Sequence, residues 1–322
     1  MHAIALGNEE FEGRNNAYLL ENEPVTLLDT GIATERTRKQ LHEGLSEYGH
    51  DFSDIERIVL THFHPDHAGL AGEIQRESGA TVYAHSADVP LIEGNEEALA
   101  EMDDRRRELF SQWGMPDEKR EELLDFLDSH SAIAGEPADA TGIEDGDRIE
   151  TGEMALEVLH TPGHAAGLCC FAFDGPEGTE AFVGDTILPV YTPNVGGADV
   201  RVEAPLEKYL DSLRTLVERD FERAWPGHRD VIEEPTERTR YIISHHRERT
   251  ERVLSVLENE PADAWTVSAE LFGGLEGIHV MHGPGEAFAH LNHLERAGFV
   301  ERSDKEYILL DEPNLETLIA PV

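Results

Sequence analysis

Residues 58–69 read IVLTHFHPDHAG: the apolar run Ile58-Val59-Leu60, then at once four candidate ligands, His62, His64, Asp66 and His67. The run is short enough for a buried strand, and the loop after it carries the chain out of a sheet at the place where side chains from several strand ends converge. His62 and His64 stand at i and i+2, so an extended backbone turns both to one side. Asp66 and His67 then enter the next helix and reach toward a second position. Neutral imidazoles and carboxylates are suitable ligands for Zn²⁺, Fe or Mn. A single histidine in such a place reads as a cap or a solvated loop residue; four ligands at this spacing do not.

Three later segments repeat the pattern of strand end and loop: HTPGH after Leu159, GDT after Val183, and PGHRD after Trp225. Pro and Gly shape the tight turns. HTPGH offers two imidazoles. Strand alternation puts His160 in register with Leu156 and Val158, facing the packing side of its sheet, whereas His164 lies beyond the turn and can swing toward His62 and His64.

Around these motifs strand, loop and helix alternate, the mark of an α/β layer fold. AYLL and VTLL, on either side of ENEP, predict a β-hairpin that delivers Asp29-Thr30-Gly31 to a strand end. Leu41, Leu45 and Tyr48 predict one helix, Leu70 and Ile74 another, and Thr81-Val82-Tyr83 a strand. Residues 88–147 break the rhythm with two helical stripes, Leu99, Met102, Leu109, Phe110, Trp113 and then Leu123, Leu124, Phe126, Leu127, which predict an inserted helical hairpin. Strands resume over 155–159, 168–173 and 180–183, and Leu206, Leu210, Leu213 and Val217 mark a further helix. A first domain over 1–234 is therefore expected, followed by a second over 235–322. The second opens with a long helix through Ile242, His246, Arg249, Val253 and Val256. After it come a helix, a helix and a strand pair turning at Ser303-Asp304-Lys305, a winged-helix-like pattern.

The balance of 67 Asp plus Glu against 26 Lys plus Arg leaves a formal charge of −41, and only 4 of the bases are Lys. Such a surface repels phosphate backbones and anionic membranes, so neither nucleic acid nor membrane is an expected partner. Acids spread through every segment fit adaptation to high salt, where screening shortens the reach of self-repulsion. The first residues lack the basic start and apolar run of a secretion signal, and no apolar run is long enough to span a bilayer; a cytoplasmic location is expected. The only two cysteines, Cys169 and Cys170, are adjacent in LCCFAF and read as reduced packing residues on opposite faces of a strand.

In this order, THFHPDHAG, HTPGH, GDT and PGH resemble the metallo-β-lactamase superfamily, and the resemblance implies an αββα sandwich. GDTILPVYTPN, PLEKYLDSL and the late HHRER resemble, within it, the glyoxalase-II-like hydrolases with a C-terminal winged-helix-like domain. Carried over by position, the resemblance implies that His62, His64 and His164 hold one divalent ion and Asp66, His67 and His228 a second, with Asp185 between them. Asp29 matches an aspartate that lies behind the ligands in that family. Leu70 and Arg229 stand where many members have Gly, and neither is a ligand.

Two such ions, Zn²⁺ first and Fe or Mn as alternatives, would lower the pKa of a shared water and make hydroxide available at neutral pH, with Asp66 orienting it or taking its proton. The expected activity is hydrolysis of a small ester, thioester or lactone. A nuclease or phosphodiesterase of the same superfamily is the alternative, and a nucleic-acid-binding regulator with a structural metal site stands behind both. Residues 240–322 carry 7 Arg plus Lys against 15 Asp plus Glu, which argues against that regulator. The tail is expected to wall the pocket or to form a homodimer contact. Candidate substrate contacts are Tyr191, after the bridging Asp, Arg106, which interrupts an apolar stripe, and His246, just beyond the last ligand; His279 and His282 fall in a Gly-rich loop with no role assigned.

Overall fold

The computed structural model describes residues 1–7, 13–129, 131–152 and 154–320. The first of two facing sheets takes β1 (His2–Leu6), β2 (Asn15–Leu20), β3 (Thr26–Leu28), β4 (Arg57–Val59), β5 (Thr81–His85) and β6 (Ala140–Ile143), in that spatial order. The second takes β7 (Arg148–Thr151), β8 (Met154–His160), β9 (Cys169–Asp174), β10 (Thr179–Gly184) and β11 (Arg223–Pro226). From β3 to β6 every neighbour is parallel, as are β10 and β11. Parallel neighbours need crossovers, and each one here runs through helix.

Strand alternation sorts the apolar side chains into layers. Leu156, Val158, Phe171 and Phe182 of the second sheet meet Tyr18, Leu28 and Val59 of the first in the central core. Leu41, Leu45 and Ile74 cover the outer face of the first sheet, and Leu206, Leu210, Leu213 and Ile242 the outer face of the second. The layers run helix, sheet, sheet, helix. Cys169 and Cys170 are both free and fully buried, and they enter opposite cores as neighbours on one strand must. No helix among the described residues is long and apolar enough to cross a membrane.

Some expectations shift. Tyr48 lies one residue past the helix Glu35–Glu47, is 37% exposed, and stacks on His2 instead of joining the stripe. In the helix Pro205–Arg219 it is Leu216, not Val217, that is buried. Within 88–147 the helical part comprises Val89–Ile92, Glu96–Gln112, Asp117–Ser129 and the 3₁₀ turn Ser131–Ala134; Ala140–Ile143 is strand β6 and extends the first sheet. This edge strand is held by backbone pairing and carries too little apolar pattern to announce itself.

The inserted helices also pack in an unanticipated direction. Met102, Leu109, Phe110, Trp113 and Leu123 share one core with Val253, Val267, Leu271, Met281 and Leu291 of the C-terminal helices. Those helices are Pro235–Leu257, Ala264–Phe272 and His279–Arg296, followed by the hairpin β12 (Val300–Ser303) and β13 (Glu306–Leu309). Insert and tail are therefore one packing unit, laid across the end of the sandwich.

The stretch read as a Gly-rich loop, HVMHGPGE, is the start of the helix His279–Arg296. Gly and Pro are poor helix residues, and Pro284 forfeits one helix hydrogen bond. Tertiary packing overrides propensity here. A Cβ on Gly196 would come within 2.6 Å of the Gly285 carbonyl, and one on Gly285 would collide with Gly197. The glycines let the helix backbone touch the loop 194–198.

The surplus of acids predicts a salt response. Raising KCl from about 0.1 M to molar levels shortens the screening length from roughly 10 Å to about 3 Å and should raise the Tm by on the order of 10 °C. A flat thermal-melt profile over that range would remove the high-salt reading.

Candidate metal centre

The loop after β4 and the loops after β8, β10 and β11 meet at one end of the sandwich. Three groups of ligand atoms converge there: His62, His64 and His164; Asp66, His67 and His228; and His62, His67 and Asp185. All seven residues singled out in the sequence are brought together. Gly227 is required by this convergence, since a Cβ on it would lie 2.5 Å from both Asp185 Oδ1 and His67 Cε1.

Hydrogen bonds set the direction of four of the five imidazoles. Thr61 Oγ1 donates to Asp29 Oδ2 (2.8 Å) and accepts from His62 Nδ1 (3.0 Å); His67 Nδ1 donates to the same Asp29 oxygen (2.8 Å). Asp29, buried behind the ligands, thus turns the Nε2 atoms of His62 and His67 inward. His164 Nδ1 donates to the Asn194 carbonyl (2.9 Å), leaving Nε2 inward, and His64 Nε2 donates to the Ala198 carbonyl (3.2 Å), leaving Nδ1 inward.

Three imidazole lone pairs are consequently crowded together, with His64 Nδ1 lying 2.9 Å from His62 Nε2 and 3.1 Å from His164 Nε2. On the other side, His67 Nε2 and Asp185 Oδ1 lie 3.5 Å apart, both buried and both without a hydrogen-bond partner among the described residues. Lone pairs facing one another in a buried site are costly unless a cation sits between them. The donor set fits divalent metal.

Charge is distributed to match. Burial, reinforced by neighbouring imidazoles, keeps His62 and His64 below the usual imidazole range, His64 down to about 3, so their lone pairs stay open. Burial also opposes charge on His67 and His228, but there the carboxylates prevail. Asp185, Asp66 and Asp29 hold His67 well above its ordinary value, and Asp185 with Asp66 pushes His228 up to about 10. The Asp66–Asp185 side of the site calls for positive charge.

The metallo-beta-lactamase superfamily model matches residues 11–228. The chain belongs to that superfamily. Probable metallo-hydrolase YqjP of Bacillus subtilis is 31% identical over 288 residues, 86% of each chain. A crystal structure of a metallo-beta-lactamase family protein from Thermus thermophilus superposes with a TM-score of 0.82 at 30% identity, covering 96% of this chain and 98% of that one. Thioesterase pkgB of Emericella nidulans is 23% identical over 252 residues, and the match spans 56% of its length. The protein is a metallo-hydrolase of this superfamily, and its His and Asp clusters could hold the divalent metals typical of it.

Above the ligands this metallo-beta-lactamase fold opens a cavity of about 1030 Å³ whose floor includes His64, Asp66, His164 and Asp185. Arg106 and Tyr191 both line it: Arg106 is paired with Asp103 at 3.0 Å, and Tyr191 is 49% exposed beneath the Arg229 guanidinium. His246 does not line it. Its ring is fully buried with His290 and Tyr209, because the apolar stripe of the helix Pro235–Leu257 turns it inward, so the expected substrate contact is corrected to a packing histidine. His279 and His282, which had no role assigned, do line the cavity, carried there by the helix start.

Two buried braces escaped the sequence. Arg201 donates to Asp88 Oδ1 (2.7 Å) and Asp199 Oδ2 (2.6 Å), while those carboxylates accept from the backbone N–H groups of Phe63 (3.0 Å) and Ala166 (2.8 Å). The loops bearing His62, His64 and His164 are so tied together. In the second brace, Glu286 accepts from Asn194 Nδ2 (3.1 Å), Val195 N–H (3.0 Å) and Arg249 (2.8 Å). It holds the loop whose carbonyls orient His64 and His164. His246, Glu286 and His290 also bring three ligand atoms together, but Arg249 already donates into that carboxylate, while His290 Nδ1 donates to Thr250 Oγ1, whose own proton goes to the His246 carbonyl.

Glu286→Ala should weaken metal binding about 10- to 100-fold in a chelator-competition titration, as loss of an orienting partner does. Glu286→Gln, which still accepts from Val195, should recover most of it. A lowered Tm with unchanged metal affinity would make Glu286 mere packing.

Proposed function

We propose that this metallo-hydrolase is a binuclear, zinc-loaded hydrolase of carbonyl esters, with a thioester of glyoxalase-II-like type as its preferred substrate. The observation that carries this reading is the set of inward lone pairs, with their N–H groups committed elsewhere, at the floor of an open cavity. His62, His64 and His164 would hold one ion, Asp66, His67 and His228 the other, and Asp185 would be shared between them. Divalent ions bound there would supply a water of lowered pKa and polarise the substrate carbonyl. Asp66 lines the cavity and is held ionised: burial works against its charge, but His67 and His228 outweigh it. It takes the proton of the attacking water.

Arg106 and Tyr191 meet the departing half of the substrate at the cavity wall. Arg107, exposed at the same wall and without an ion pair among the described residues, adds a cation in a strongly acidic protein. The name of the fungal relative, a thioesterase, supports the substrate class for that protein and by likeness for this one. The C-terminal helices and hairpin serve as a winged-helix-like wall instead of a nucleic-acid reader, since the second helix buries Val280, Met281, Glu286, Ala287 and Leu291 against the rest of the chain.

The test is elemental analysis together with a substrate panel in molar salt. About two ions per chain and turnover of thioesters over lactones, phosphodiesters and β-lactams are expected. Activity in a metal-free preparation, or cleavage of phosphodiesters alone, would overturn the proposal.

A further inference from the structure

The cavity is larger and more apolar than a small acyl group needs. Leu99, Met102 and Leu124 come to it from the inserted helices, Ile278 and Met281 from the C-terminal helix, and Phe63 from the ligand loop itself. Ligand cavities of roughly 300–1,000 Å³ bury most of a drug-sized molecule, and this one, at about 1030 Å³, stands at the upper end. Leu99 is 39% exposed on a chain whose surface is otherwise crowded with carboxylates. Apolar side chains left facing an open chamber at a reactive floor point to an apolar ligand.

The chamber is also a built structure. Both of its walls belong to the single core that joins insert and tail, in which Trp113 contacts Phe288 and the Trp113 carbonyl accepts from the Trp265 N–H at 2.8 Å. The wall helices are held in place by contacts that do not involve the metal ligands. A chamber of this size and lining selects by length and apolar bulk.

Resting on the thioesterase reading above, we infer that the acyl half of the substrate is a long, apolar chain that lies between the inserted helices and the C-terminal helix, with its carbonyl over the metal centre. In the reaction the water oxygen bonds to the acyl carbon as the C–S bond breaks. The departing sulfur leaves as a thiol with one proton, and the acid formed releases the other. The chain stays in the chamber through this exchange and the thiol half leaves past Tyr191 and Arg229.

The experiment is a coenzyme A thioester series, acetyl, butyryl, octanoyl and dodecanoyl, followed by thiol release with the metal-loaded full chain. Each methylene that enters the chamber should raise kcat/KM about three- to fourfold, the factor expected for one buried CH₂. Met102→Trp should shift the preferred length downward. Leu99→Trp, at an exposed position that tolerates bulk, gives the same shift if the first variant does not fold. Calorimetric titration of the metal-free chain with dodecanoate reads the chamber without turnover, and binding that Leu99→Trp weakens at least about fivefold is expected. Equal turnover of acetyl and dodecanoyl thioesters, or no dodecanoate binding, overturns the acyl-chamber inference and leaves the thioesterase reading intact. Dodecanoate binding without cleavage of any thioester overturns the thioesterase reading instead.

Discussion

Asp185→Ala should lose metal and turnover together, with kcat/KM falling by on the order of 10³-fold or more. Asp185 Oδ1 lies 3.5 Å from His67 Nε2, while Oδ2 lies 3.4 Å from His228 Nε2 and 3.7 Å from His164 Nε2. Asp185 thus faces both ligand groups, with Oδ2 lying between His228 and His164. The alanine variant leaves the imidazoles crowded with less negative charge to hold a cation. Circular dichroism separates loss of metal from loss of fold: a folded spectrum is expected while elemental analysis reports the loss. A variant that kept two ions would show that Asp185 is not the shared ligand.

His164→Ala and His160→Ala, four residues apart in one motif, should behave as opposites. His164 Nε2 is part of the three-imidazole group, so its removal is expected to release one ion and nearly all turnover. His160 ends β8 with its ring stacked on His85 at 3.9 Å and its Nε2 donating to the Ala166 carbonyl at 2.8 Å. It touches no ligand group among the described residues. Its alanine variant should keep its metal and lose about 1 kcal/mol of stability. Metal analysis and thermal melts on the pair decide between them, and the reverse result would move the ligand by one turn.

The four ligand segments were legible because each is local: an apolar strand, then ligand types in a turn, repeated four times in one chain. The braces were not. Neither Asp88 nor Glu286 stands in a recognisable motif, and their partners lie far off in the chain, 113 positions from Asp88 to Arg201 and 91 from Val195 to Glu286. A carboxylate's role depends on whether burial brings a donor to it, and no local pattern encodes that. His246 shows the converse: its position after the last ligand suggested contact with substrate, but the stripe it shares with Ile242 and Val253 turned it inward.

Ligand type, ligand order and the layered α/β plan thus follow from local residue order, because strand periodicity and loop chemistry act over a few residues. The direction of each imidazole, the direction in which the inserted helices pack, and the chamber they form with the tail arise only on folding. These depend on hydrogen bonds and apolar contacts between segments that meet once both sheets have closed on the central core and the GPGE backbone has come to rest against the loop 194–198.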